Sequence, residues 1–366
     1  MERRSRTSKK LMKCLFSTIA LISIAGGLGA QTPQPVAPPD PLAPGDEVDY
    51  IRYVEEPGVS SRLQTAVVRF QKGRTVVDLV GVVHLGDAAY FENLNALLKG
   101  YDAVLYEMVG GKYVAGNDAD VDLEAAPGAA PEMASVRQLQ QLARSFLGLE
   151  FQLDGIDYSA RNFVHADVAW EEFNALMMAR GQSFATLFTR ALTLAEGGEV
   201  AGIPNDEEVM AAMMKRIFTA VMTGDSNELK RSIAPLISEA EGFITQLEGD
   251  DGTVLVSERN RVVMEVLTEE REVRGGGKFA IFYGAGHMPD LERRLLAEGF
   301  SKETTIWADA WLIPEQGTAE DLATGPGAGA PADILGRLLE DNPEIMTTIQ
   351  QLGTLLESLR AVTERE

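Results

Sequence analysis

The sequence predicts an α/β fold, α+β in detail, built on a central mixed, partly parallel sheet. Three observations predict it. "TVVDLVGVV" is a nearly continuous run rich in β-branched residues, as suits a strand buried on both faces. "GDAAYFENLNALLKG" then shows helical spacing and leads into the strand-like "YDAVLYEM", which makes a β-α-β unit. A second strand–turn–helix–strand series, "GKFAIFYGAGH", "PDLERRLLAEG" and "TTIWADAWLIP", closes the globular part.

Taken in order, the chain opens with a basic segment, "MERRSRTSKKLMKC", followed by the apolar "LFSTIALISIAGGLGA". Basic, apolar and then small residues describe an export signal over 1–30, cleaved near Ala30. An uncleaved N-terminal anchor is the alternative, and the only membrane attachment expected. "QTPQPVAPPDPLAPGDE", residues 31–47, is Pro-rich and reads as an extended linker. The globular domain spans 48–313. "RLQTAVVRFQKGRTVVDLVGVVH" gives two strands around the turn "QKGR". The helix after it carries Tyr90, Leu94, Leu97 and Leu98 on one face and stops at Gly100. The strands at 76–84 and 102–107 are expected to be parallel neighbours.

Residues 133–270 read as a large, mainly helical insertion. Asn205 with Glu208 and Asp225 with Glu228 have the spacing of helix-start capping pairs. Most of the methionines fall there, as an adaptable core layer would have them. Beyond the domain, 314–333 is a flexible spacer. Within 334–366, Ile345, Ile349, Leu352, Leu355, Leu356 and Leu359 form one apolar helical face. That helix either docks on the body or pairs with a second copy as a homo-oligomer contact.

Composition narrows the chemistry. The single cysteine, Cys14, lies in the signal, so the exported part has no disulfide and no cysteine nucleophile. The net charge is −22 at pH 7, and the basic signal makes the remainder more acidic still. Such a surface argues against nucleic acid and anionic membranes as partners. There is no G-x-S-x-G, no H-E-x-x-H and no phosphate loop in a strand-to-helix context.

The chain has three histidines, and two of them end a G-x-x-H where an apolar strand runs out. These are Gly81-Val82-Val83-His84 and Gly284-Ala285-Gly286-His287. A strand-to-helix turn at the carboxyl edge of a parallel sheet is where open α/β folds bind ligands. Glu107 closes the strand after the first motif and should reach the same edge. Two imidazoles and a carboxylate suit a catalytic Mn²⁺, Co²⁺ or Zn²⁺ ion with positions left for water. Glu107 has general base as its alternative role. Asp309 follows His287 much as Glu107 follows His84, and this half-repeat makes it a further candidate. His165 and Asp167 lie before a helix, Asp167 as a candidate N-cap and His165 as a substrate-side or additional metal residue.

"VGVVHLG", "VLYEM", "SERNRVVM" and "YGAGHMPDLERRL" occur in this order, and over residues 75–313 the chain resembles the TraB/PrgY/GumN family. Relatives of that family include the Tiki proteases and, more distantly, erythromycin esterase and ChaN-like proteins. The resemblance assigns the site to His84, Glu107 and His287, with Glu258, Arg259 and Asn260 as the family's E-R-[ND] helix motif. Arg259 would pair with a ligand carboxylate or an oxyanion. By resemblance, Tiki-like members are divalent-metal-dependent peptidases. PrgY-like members sequester peptide signals, and ChaN-like members bind haem. The expectation is therefore an exported metal-dependent hydrolase acting on peptide or protein, with a peptide-binding or a haem-binding protein as alternatives.

Overall fold

The computed structural model describes residues 49–56, 60–110, 147–183, 223–248 and 252–315, with scattered positions between 186 and 220. The signal, the linker, the Asn205 cap, the spacer after 315 and the C-terminal amphipathic helix lie outside the described residues. Among the described residues no helix is long and apolar enough to cross a membrane.

One mixed seven-stranded sheet organises the domain. Its strands are β1 (Ile51–Glu56), β2 (Ser60–Lys72), β3 (Thr75–Val82), β5 (Ala103–Tyr106), β7 (Phe163–His165), β8 (Gly277–Gly284) and β9 (Ser301–Pro314). The long β2 is the antiparallel hub. It pairs with β9 along one side and with β1 and then β3 along the other. From β3 the sheet turns parallel, in the order β3-β8-β5-β7. A minor pair joins β4 (Leu85–Gly86) to β6 (Glu150–Phe151).

This order corrects one sequence expectation. β3 and β5 are parallel but not adjacent, because β8 from the far end of the chain lies between them. The inserted region, expected to be mainly helical, also supplies the short β7 as the last parallel strand. The burial patterns match these positions. β3 and β8 lie inside the sheet and their apolar runs are buried nearly throughout, whereas the outer β9 alternates more.

The helices follow from local sequence. α1 (Ala88–Leu98) buries Tyr90, Phe91, Leu94 and Leu98. A short turn, α2 (Gln152–Gly155), follows β6, and α3 (Trp170–Ala179) buries Phe173 and Met177. α4 (Ser226–Ser238) starts at Asp225, whose carboxylate accepts from the Glu228 N–H at 2.9 Å, as the spacing predicted. α5 (Ala240–Glu248) leads to a π-helical turn, Val254–Glu258, that runs directly into α6 (Arg259–Arg274). Gly275 ends α6 in the left-handed conformation, at φ 69°, that glycine adopts without strain. After β8, a 3₁₀ turn (Ala285–His287) enters α7 (Met288–Ala297), with Pro289 in its first turn. α6 packs on β5 and β8, and α7 packs on β3. A second apolar cluster of Val168, Phe173, Met177, Ile244 and Val254–Val256 joins α3, α5 and the π turn.

Candidate active site

Three adjacent parallel strands end together, and each delivers one side chain. In register, Val82 of β3 lies beside Gly284 of β8, and Phe282 of β8 lies beside Tyr106 of β5. His84 follows β3, His287 follows β8 through the 3₁₀ turn, and Glu107 is the first residue past β5. All three are buried. The Gly284 N–H donates to Glu107 Oε2 at 2.7 Å, which ties the end of β5 to the end of β8. A carbon on Gly284 would stand 3.3 Å from Glu107 Oε2, 3.6 Å from His84 Nε2 and 3.8 Å from His287 Cδ2. The three predicted residues therefore surround one small volume.

Each histidine is held in a defined tautomer by an amide oxygen. His84 Nδ1 lies 2.6 Å from Gln152 Oε1, and His287 Nδ1 lies 2.7 Å from Asn260 Oδ1. An amide oxygen only accepts, so both rings carry their proton on Nδ1 and a lone pair on Nε2. His287 Nε2 faces Arg259 Nη1 at 3.3 Å and Glu107 Oε1 at 3.5 Å. His84 Nε2 is buried with no hydrogen-bond partner. Asn260 is itself fixed, because its Nδ2 donates to the His287 carbonyl at 3.0 Å and to Asp290 Oδ2 at 2.9 Å.

Arg259 is buried behind these groups, not on a helix surface. Its five N–H donors are all engaged. Nε and Nη2 form a fork on Asp167 at 2.9 and 2.6 Å, and Nη2 also reaches Glu107 Oε1 at 2.6 Å. Nη1 takes the Leu255 carbonyl and His287 Nε2, both at 3.3 Å. The π turn makes this possible by placing Arg259 at the first position of α6, facing inward. Burial opposes the ionisation of Glu107, but Arg259 and then His287 hold its carboxyl well below the usual range. The buried cluster thus sets two carboxylates, on Asp167 and Glu107, against one guanidinium.

The remaining candidates divide. Asn260 belongs to the site as the partner of His287. Glu258 does not, because it ends the π turn and pairs with Arg180 and Arg261. His165 ends β7 in register with Tyr106, and its Nε2 donates to the Met108 carbonyl at 2.7 Å. Asp309 lies on the antiparallel β9, opposite Gln64, whose amide donates to it at 2.5 Å. β9 runs in the same direction as β3 but lies on the far side of β2 from it, so Asp309 is held against Gln64 and does not join the grouping. Asp167 is not a helix cap either, since Ala169 precedes the first helical residue and the Asp167 carboxylate is committed to Arg259. Sequence reasoning missed Gln152 and the true role of Asp167. The nearest signal was the position of Asp167 just past a strand, two residues after a histidine.

In kind, the donors fit a divalent cation. The His84 Nε2 lone pair and an ionised carboxylate face a space that a glycine keeps open, with the His287 ring at its side. In the present arrangement Arg259 engages Glu107 and His287. Among the described residues no three His, Cys, Asp or Glu side chains form a ready coordination shell.

The electrostatics predict an acid-sensitive fold. Burial pushes the His84 pKa below its ordinary 6.5, so between those values the unfolded chain binds more protons than the folded one. Stability should therefore rise with pH through that window, by at most about 1.4 kcal/mol per pH unit. Glu107 adds a loss of the same sign below its ordinary 4.5. Urea titrations of the chelator-treated protein between pH 5 and 7 should show this slope, and His84→Gln should flatten it. An equally steep slope in the variant would assign the effect elsewhere.

Comparison with family models, with curated proteins and with solved structures finds no match to this chain.

Proposed function

We propose that the protein is an exported, divalent-metal-dependent hydrolase acting on peptide or protein substrates. The observation that carries the reading is the buried grouping around Gly284. His84 turns its Nε2 lone pair toward it, the His287 ring borders it, and Glu107 is ionised beside them. An unpartnered imidazole nitrogen beside a buried ionised carboxylate is a donor set that suits a cation. His84, Glu107 and His287 would hold a Mn²⁺, Co²⁺ or Zn²⁺ ion, with His84 Nε2 the donor that needs no partner displaced. Such an ion lowers the pKa of bound water and polarises a carbonyl. Arg259 keeps Glu107 ionised and oriented, while Gln152 and Asn260 fix the imidazoles. Peptide as the substrate class, and export itself, rest on the family resemblance and on the N-terminal signal.

The test is metal retention. Wild type, His84→Ala and His287→Ala would be stripped, loaded with Mn²⁺, Co²⁺ or Zn²⁺, and titrated at equilibrium. About one ion per chain is expected in wild type, the stoichiometry of a mononuclear site. Both folded variants should lose it, together with chelator-sensitive cleavage of a peptide library. Equal binding by wild type and variants would sink the reading, and a peptide-binding role without catalysis would replace it.

A further inference from the structure

We infer that Gln152, held by Tyr158, is a positioning residue of the site: it fixes the His84 tautomer and so aims the Nε2 lone pair. The inference deepens the proposed function and rests on His84 acting through Nε2. Gln152 lies 68 residues after His84. The small β4–β6 pair brings it back, with Leu85 opposite Phe151 and Gly86 opposite Glu150. The next residue then clamps His84 at two points. The Gln152 N–H donates to the His84 carbonyl at 2.9 Å, and Gln152 Oε1 accepts from Nδ1 at 2.6 Å.

The amide needs an orienting partner of its own, because turned over it would present N–H groups to the imidazole. Tyr158 supplies that partner. Its hydroxyl oxygen accepts from Gln152 Nε2 at 2.9 Å, which leaves Oε1 for the ring. Gln152 and Tyr158 are both buried, so water does not compete for these bonds. An amide suits the task better than a carboxylate. It accepts the Nδ1 proton without adding a third carboxylate to a buried cluster that already holds Glu107 and Asp167. Asn260 does the same for His287, so the site holds both rings in the same manner. Outer partners of this kind orient metal-ligating histidines and tune their affinity.

The chain has only three histidines, so its imidazole ¹⁵N resonances can be assigned one by one with His→Gln variants. In full-length wild type without metal, His84 should show the Nδ1–H pattern. Gln152→Leu should shift it toward Nε2–H and weaken Zn²⁺ binding roughly 10- to 100-fold, with His165 signals unchanged as a control for folding. Gln152→Glu keeps an acceptor and should keep the tautomer. Tyr158→Phe frees the amide and should give an intermediate result. If Gln152→Leu does not fold, Tyr158→Phe decides. An unchanged His84 tautomer in folded Gln152→Leu, or in Tyr158→Phe if that variant decides, would overturn the inference. If the tautomer follows Gln152 but wild type binds no metal, the positioning role stands and the metal reading fails.

Discussion

Arg259→Met should destabilise the folded protein by about 3–5 kcal/mol, the usual consequence of leaving a buried charge without its partner. The guanidinium lies behind the site with all five donors used. Methionine fills much of the same volume, so the cost is electrostatic and not that of a cavity. Asp167 loses a bidentate partner, and Glu107 loses the group that keeps it ionised. Arg259→Lys should recover only part of the loss, because an ammonium cannot reproduce the fork on Asp167. Adding Asp167→Asn and Glu107→Gln to Arg259→Met should restore stability, since the triple variant buries no unpaired charge. Urea unfolding of the four proteins measures this. A cost under about 1 kcal/mol for Arg259→Met would mean that water reaches the cluster and that its charges are not buried as described.

That prediction shows where the sequence was informative. Histidine, glutamate and arginine at strand ends and at the start of a helix are uncommon residues in places that suit chemistry. His84, Glu107, His287 and Arg259 do come together. The order of the strands could not be read. Placing β8 between β3 and β5 makes pairings across 202 and 176 residues of chain, decided by packing in three dimensions. Asp167 shows the same limit at one residue. Locally it resembles a cap, and only the inward turn of Arg259, 92 residues away, gives it a partner. Gln152 had no local signal, because an amide beside a short turn is ordinary until a histidine is folded against it. Asp309 fails for a different reason. Equal spacing after each histidine says nothing about where the next strand inserts: β5 lands beside β8, whereas β9 lands outside β2, on the far side from β3.

The two glycines that open the G-x-x-H motifs should respond to substitution in opposite ways. Neither has a positive φ, so neither is needed for an unusual backbone. Gly284 sits at φ −50° and ψ 138°, which alanine adopts freely. Its missing methyl keeps open the space between Glu107, His84 and His287. Gly284→Ala should therefore fold with stability within about 1 kcal/mol of wild type, since a glycine replaced at a permitted conformation often gains slightly. On the proposed metal-dependent reading, ion retention and peptide cleavage should fall by about 100-fold, as expected when reacting groups are displaced by part of an ångström. Gly81 lies inside β3, where a methyl would meet the Ala66 carbonyl at 3.3 Å and Ala285 and Met288 at 3.5 Å. None of these atoms belongs to the three site side chains. Gly81→Ala should lower stability by about 1–3 kcal/mol through overpacking, with the ion retained by the protein that remains folded. Melting curves and metal titrations on the two variants separate the roles. A Gly284→Ala protein that binds its ion and cleaves peptide as well as wild type would mean the chemistry lies elsewhere.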